Sequence, residues 1–174
     1  LYRKIVDELA AARVKMEAGE LDPAGGAAHN VDEAWAFYDA EGNGLSSTAT
    51  KRGDDFDKDV HGPIAAALTA AQEAAIDGDL DAFDTAAAEV DQAVGYIFYL
   101  ATFKYLDTED DPVKQAEGFS FYRGIQPTVA GAAPEADQAI DAAFLTGDTD
   151  AGRAALNRPE VLEALGVSED EAVS

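Results

Sequence analysis

The 174 residues are enough for one domain with a continuous hydrophobic core. With 12 Lys and Arg against 35 Asp and Glu, the formal net charge is −23 at pH 7, which opposes binding to nucleic acids and to anionic membranes. The sequence has no cysteine, which excludes disulfides, thiolate nucleophiles and sulfur-based metal sites. We therefore expect no nucleic-acid partner and no direct membrane insertion.

The acidic residues are spread along the whole chain, and 47% of the residues are hydrophobic and recur at helical spacing. This pattern indicates a folded domain, because a disordered acidic tail lacks apolar residues. Halophilic proteins carry net charges of this kind, and molar salt shortens the screening length to about 3 Å. The composition therefore predicts a source adapted to high salt.

The first residues already follow a helical pattern, and no signal peptide or transmembrane stretch is recognisable in the sequence. We expect a mature domain, or one that is fused or tethered to other domains in a longer protein.

Alanine is abundant and β-branched residues are sparse, so the sequence predicts an all-α fold. A polar loop is expected from Gly42 to Asp59, and a frayed acidic end at 168–174. Asn30 is expected to cap the second helix. The predicted helices cover residues 1–18, 31–40, 63–77, 80–106, 112–124, 134–145 and 149–165.

Two pairs of segments indicate an internal repeat. Glu33 to Tyr38 and Glu117 to Tyr122 share the pattern E-x-x-x-F-Y, and the sequences GDLDA at 78–82 and GDTDA at 147–151 follow in the same order. We therefore predict a single domain at 1–167, built as a helical bundle of two related halves, about 1–92 and 93–167. Pseudo-two-fold symmetry would bring Glu33 and Glu117 towards a common centre.

Both histidines have a carboxylate four residues away, the spacing that places two metal ligands on one helix face. The pairs are His29 with Glu33 and His61 with Asp57. Glu33 also lies three residues after Asn30, where a capping box would hold it, and His61 also fits a solvated loop. Both alternatives stay open at this stage.

Glu117 lies in an apolar and aromatic stretch, which predicts that it faces inward and needs a partner. That partner is either a metal ion or Lys114. Tyr122 follows on the same helix, either as a core residue or as a phenolate ligand for Fe(III). Lys51 and Arg52 form a basic spot in the predicted loop, where they either anchor an anion or pair with Asp54 or Asp55.

Three segments resemble one known family. They are HNVDEAWAF at 29–37, ATKRG at 49–53, and EGFSFYR at 117–123 with Pro127. The chain resembles the iron-assimilating, low-iron-inducible periplasmic proteins of green algae, and the phytotransferrins of diatoms look like relatives. The algal proteins carry cysteines that this chain lacks, and their Asn-Phe after the Lys-Arg-Gly is replaced here by Asp54, Asp55 and Phe56.

The resemblance implies an extracytoplasmic helical domain that captures Fe(III), with carbonate as a synergistic anion. It implies His29, Glu33 and Glu117 as metal ligands, with Tyr122 as a further one. It implies Lys51, Arg52 and Arg123 as the residues that hold the anion. Carboxylate, phenolate and carbonate oxygens are the donors that this hard cation prefers.

No enzyme motif is present, so we expect binding without catalysis. Two alternatives remain. A carboxylate-bridged di-iron centre usually needs two Glu-x-x-His motifs, which this sequence lacks. A metal-free structural surface domain needs only Glu33 as a cap and Glu117 in a salt bridge.

The charge predicts that the fold depends on salt. We expect the domain to loosen below about 0.5 M salt, because repulsion between carboxylates is then screened less. Thermal unfolding across a KCl series measures this dependence, and a midpoint that does not change with salt would contradict halophilic adaptation.

Overall fold

The structure is a computed structural model that describes residues 2–42, 44–107 and 111–174. The prediction of an all-α fold is confirmed, since the chain is 80% helical and the described residues contain no strand. None of the described helices is both long and apolar enough to cross a membrane. The helices are α1 (Tyr2–Glu17), α2 (Ala27–Asp39), α3 (Leu45–Phe56), α4 (His61–Asp77), α5 (Leu80–Tyr105), α6 (Pro112–Ala132), α7 (Pro134–Thr146), α8 (Thr149–Leu156) and α9 (Pro159–Leu165).

The chain divides into two compact units, Leu1–Val94 and Gly95–Ser174, and the division falls inside α5. The halves expected from the sequence meet at 92/93, two residues before this boundary. The predicted symmetry between the halves stays a prediction.

In the first unit, α2 packs against α1, α3 and α4. Its inward face is apolar, with Ala27, Val31, Ala34 and Tyr38 each fully buried. A polar contact lies at the same face: Asn30 is buried, and its side-chain amide donates to Glu8 of α1 at 2.7 Å. α2 is therefore the central helix of this unit.

The expected loop from Gly42 to Asp59 is wrong, because α3 occupies most of it. Leu45 and Ala49 lie one turn apart and are buried, so the segment has an inward face despite its polar composition. The Thr50 hydroxyl donates to the carbonyl of Ser46 one turn back, which satisfies this side chain within the helix. Asp57 ends α3 in the left-handed conformation, at φ 52°.

The second unit differs from the prediction at one helix end. α6 continues to Ala132 through Pro127, although it was expected to end near Gly124. Proline removes one helical N–H. The helix nevertheless continues, with Ile125 and Val129 buried on either side of it.

The helix predicted at 149–165 is two helices. Pro159 restricts the preceding residue to an extended backbone, and Arg158 has φ −65° and ψ 138°. α8 therefore ends at Leu156 and α9 begins at Pro159.

The expectation of a frayed end at 168–174 is wrong. Val173 is buried, its N–H donates to the Tyr99 hydroxyl at 3.1 Å, and its carbonyl accepts from Asn157 at 2.6 Å. The Tyr99 hydroxyl in turn donates to the Asn157 side-chain oxygen at 2.7 Å. Burial raises the pKa of Tyr99 above its ordinary value, so the phenol keeps the proton that it donates.

We expect Tyr99→Phe to lower the free energy of unfolding by about 2 kcal/mol, because it leaves the Val173 N–H and the Asn157 oxygen without their buried partner. Urea unfolding followed by far-UV circular dichroism measures the change. Tyr96→Phe is the control. It removes one exposed hydrogen bond, from the Tyr96 hydroxyl to the carbonyl of Glu171, and should have a smaller effect. Equal effects of the two variants would contradict the buried role of Tyr99.

Gly118 allows α6 to approach its neighbours closely. A Cβ at this position would overlap the Cβ of Tyr105 and lie 2.7 Å from Cε1 of Phe144. We expect Gly118→Ala to destabilise the protein by about 2 kcal/mol through overpacking. Gly131→Ala, on the same helix with no atom within 4 Å of the new Cβ, should instead stabilise it by about 0.5 to 1 kcal/mol. Thermal unfolding of the pair tests the contrast, and a neutral Gly118→Ala would contradict it.

Candidate functional site

A tight loop sets where α2 begins. The Ala27 N–H donates to the carbonyl of Glu20 at 2.9 Å, and the Gly26 N–H donates to that of Asp22 at 2.6 Å. Gly26 is the residue before the helix, and a Cβ there would meet the backbone of Glu20 and Asp22. α2 therefore begins four residues earlier than the sequence predicts.

The early start places His29 inside the helix. His29 Nε2 lies 3.7 Å from Glu33 Oε1, and both side chains are 46% exposed. The prediction that Asn30 caps α2 is wrong, because Asn30 lies within the helix and bonds Glu8, and this also removes the capping-box alternative for Glu33. His29 and Glu33 thus form an accessible pair of potential ligands on one helix face.

His61 does not pair with Asp57 through the helical spacing that the sequence offered. Asp57 ends α3, and His61 is the first residue of α4. His61 is exposed, but its Nδ1 lies 2.8 Å from the buried Tyr38 hydroxyl, and the two rings stack with centroids 5.6 Å apart. His61 is therefore first of all the hydrogen-bond and stacking partner of the buried Tyr38.

Glu117 does not face inward, as the sequence predicted, but is exposed on α6. The buried positions of the helix are Gly118, Tyr122, Ile125 and Val129. Lys114, the expected partner of Glu117, lies 3.9 Å from Asp111 instead. Among the described residues, the Glu117 side chain has neither an ion pair nor a hydrogen bond, which leaves its carboxylate free for a ligand.

Tyr122 is fully buried, and its hydroxyl donates to Asp137 Oδ1 at 2.7 Å. Gln126 donates to the same oxygen at 2.7 Å. Burial, and then the contact with Asp137, raise the pKa of Tyr122 well above its ordinary value. In this conformation Tyr122 is a protonated core residue, and its oxygen is not presented to a metal ion.

The three candidate anion-binding residues differ in their surroundings. Lys51 is exposed on α3, so the basic spot lies on a helix rather than in a flexible loop. The Arg52 Nε lies 3.3 Å from Asp55 Oδ2, the local pairing that the sequence offered as an alternative. In the second unit, Arg123 is bonded to Gln126 and lies over the Phe119 ring at 4.9 Å. Lys51 and Arg123 are both exposed, and of the three cations only Lys51 makes no hydrogen bond or ion pair with the described residues.

The two E-x-x-x-F-Y segments have corresponding local structures within their own units. Each buried tyrosine bonds the first turn of a later helix, Tyr38 to His61 in α4 and Tyr122 to Asp137 in α7. Gly78 and Gly147 end α4 and α7 at φ 72° and 77°. The aspartates that follow both glycines accept a hydrogen bond from the N–H three residues on. The two partners lie at different distances from their tyrosines, 23 residues for Tyr38 and 15 for Tyr122, so the repeat in the sequence did not locate them.

A metal cluster is not formed in the conformation described. No group of three His, Asp or Glu side chains among residues 2–42, 44–107 and 111–174 is placed to hold a metal ion. His29 and Glu33 belong to the first unit, and Glu117 and Tyr122 to the second. No family model matches the chain, and the curated proteins and the solved structures likewise gave no match. The family resemblance therefore stays an expectation from the motifs.

The buried and half-buried tyrosines predict a dependence of stability on alkaline pH. Burial is the largest cause that raises the pKa of Tyr2, Tyr38, Tyr96, Tyr99 and Tyr122 above 10.0, to about 12 for Tyr96. The folded chain keeps phenol protons that the unfolded chain releases above pH 10. Stability is therefore retained below about pH 10 and falls as the pH rises further.

Ultraviolet titration in molar KCl, with urea unfolding at each pH, measures this loss. The folded protein should release most of its phenol protons later than the protein in urea. Tyr122→Phe should remove one of the late protons. Superimposable titration curves for folded and unfolded protein would contradict the burial of these hydroxyls.

Proposed function

We propose that the chain is an iron-binding domain that captures Fe(III) without turnover, with carbonate as a synergistic anion. The observation that carries the proposal is the pair on α2, where His29 Nε2 and Glu33 Oε1 lie 3.7 Å apart and are open to solvent. An imidazole and a carboxylate on one helix face are a common two-point clamp for a metal ion. The motifs shared with the algal proteins support iron as the metal.

The pair supplies only part of a coordination shell. Carbonate and water would fill the positions that remain, and both offer the oxygen donors that Fe(III) prefers. The clamp binds best when His29 is neutral and Glu33 is ionised, because a protonated ligand cannot bind metal. Acidification therefore provides a route for release of the iron.

The proposal assigns different roles to Glu117, as a metal ligand, and to the basic residues, which would hold the anion. The free, exposed carboxylate of Glu117 supports its assignment as a ligand. Lys51 is the best of the proposed anion holders, because it is exposed and among the described residues its amine makes no ion pair. Arg52 and Arg123 would first have to leave Asp55 and Gln126.

The setting of this function is also part of the proposal. The charge of −23 supports a salt-adapted source, and the motif resemblance supports an extracytoplasmic location. The matching tyrosine contacts and aspartate caps support an internal duplication.

A metal-free structural domain is the second candidate. It is favoured by the lack of a group of three potential ligands among the described residues. The di-iron alternative has less support, because such a centre needs several carboxylates around two metal ions. A binding measurement separates the three functions.

We expect metal-free protein to retain about one iron per chain after incubation with chelated Fe(III) in molar KCl and desalting. Retention should be greater with bicarbonate than without it, because the carbonate completes the coordination shell. Metal analysis of the desalted protein gives the ratio. Two irons per chain would favour the di-iron alternative, and no retained iron would favour the metal-free domain.

Substitutions test the residues. We expect Glu33→Ala and Glu117→Ala each to weaken iron binding by more than about 100-fold while helicity is unchanged, because each removes a charged ligand from the exposed surface. Glu73→Ala is the matched control, since Glu73 is exposed on α4 and has no histidine four residues away. Unchanged affinity in both test variants would refute the site, and loss in Glu33→Ala alone would restrict it to α2.

A further inference from the structure

The first unit contains an apolar cleft that the proposed function does not use. The cleft lies between α1 and the beginning of α5, and its volume is about 260 Å³. Its walls include Ile5 and Leu9 from α1, and Phe83, Val90 and Val94 from α5. These five side chains are buried, whereas Val6 at the edge of the cleft is 38% exposed. The cleft is therefore a slot at the surface, with the hydrophobic core as its floor and an edge that opens to solvent.

Polar bridges join the two helices along the cleft. The Tyr2 hydroxyl donates to Asp91 Oδ1 at 2.5 Å. Arg13 donates to both oxygens of Asp84, at 2.7 and 3.1 Å. The two bridges are 11 residues apart on α1, or about 16 Å at the helical rise. These bridges hold α1 and α5 at a fixed spacing. Between them the small side chains of Ala10 and Ala87 do not fill the space, which leaves the cleft.

Filling the cleft removes apolar surface from water, which is favourable. An engineered apolar cavity of about 150 Å³ stays dry and binds benzene. A cleft of about 260 Å³ with apolar walls is large enough for a molecule of two fused rings or about ten carbon atoms.

The charges of the unit select against an anion. Residues 1–94 contain 7 Lys and Arg against 20 Asp and Glu, which gives a net charge of −13. The one cation that lines the cleft, Arg13, is already bound by Asp84 and Glu17. Asp84 and Asp91 are likewise engaged by Arg13 and Tyr2. An occupant therefore finds apolar walls and no free counter-charge.

We propose that this cleft is a binding site for a small uncharged hydrocarbon-like molecule of about ten carbon atoms. The site lies within the first unit and is independent of iron binding. Its specificity follows from the size of the slot, its apolar walls and the negative charge around it.

Naphthalene is a probe of the right size and charge. Titration of the 174-residue chain in molar KCl, followed by two-dimensional amide NMR, should give saturable shifts at residues of α1 and the start of α5. The expected dissociation constant is about 0.1 mM or tighter, which a ligand of ten heavy atoms can supply and which lies within the solubility of naphthalene in water. The anion 2-naphthoate, which has nearly the same shape, should bind at least about tenfold more weakly in the same molar KCl, because the apolar walls offer its carboxylate no partner. Absence of saturable shifts, or equal affinity for the two probes, would overturn the proposal.

Ala87→Leu should fill the slot and weaken naphthalene binding at least about tenfold, and should raise the thermal midpoint of the free protein. Ala88→Leu, at the exposed neighbouring position of α5, is the matched control and should leave the affinity unchanged. Ala10→Leu fills the cleft from α1 and decides the result if Ala87→Leu fails to fold. Unchanged affinity in the filling variants would overturn the site. Self-association that they abolish would assign the cleft to a second copy of the chain.

Discussion

In each unit, the tyrosine of the E-x-x-x-F-Y segment is fully buried and joins its helix to a later helix of the same unit. Tyr38 reaches His61 at the start of α4, and Tyr122 reaches Asp137 in the first turn of α7. A buried phenol must keep a hydrogen-bond partner, so each contact fixes the rotation of its helix as well as its position. The rotation that buries these tyrosines turns Glu33 and Glu117 outward. The exposure of both candidate carboxylates is therefore a consequence of core packing.

The acidic composition explains how the charged groups are arranged. The few cations are mostly engaged within their own unit, as Arg13 is with Asp84 and Arg153 is with Asp107 at 2.6 Å. Exposed pairs of this kind contribute little to stability one by one. They nevertheless relieve local repulsion between carboxylates, and they place the ends of helices relative to one another. Few cations are therefore available to bind an anion, and Lys51 is one of them.

The proposed iron pair shows how a short loop sets the chemistry of a surface. Gly26 lies where any Cβ would meet the backbone of the preceding loop, so that loop closes tightly and α2 begins at Ala27. With a start at Val31, His29 would precede the helix and would not share a face with Glu33. The early start places His29 one helical turn before Glu33, on the same face. It also makes Asn30 a helix residue in buried contact with Glu8 instead of a cap.

The amino-acid sequence by itself determined the helical class, most of the helix positions and the acidic surface. Alanine content, hydrophobic period and the glycine and proline stops act locally, and local rules are readable without a fold. Tertiary contacts decided the rest. α3 is a helix because Leu45 and Ala49 find a core, and residues 168–174 are held because Tyr99 and Asn157 bind Val173. Glu117 is exposed because Gly118 and Tyr122 face inward on α6, where Gly118 lies against Phe144 and Tyr122 bonds Asp137. These outcomes depend on partners distant in the chain, and no local pattern of residues specifies such partners.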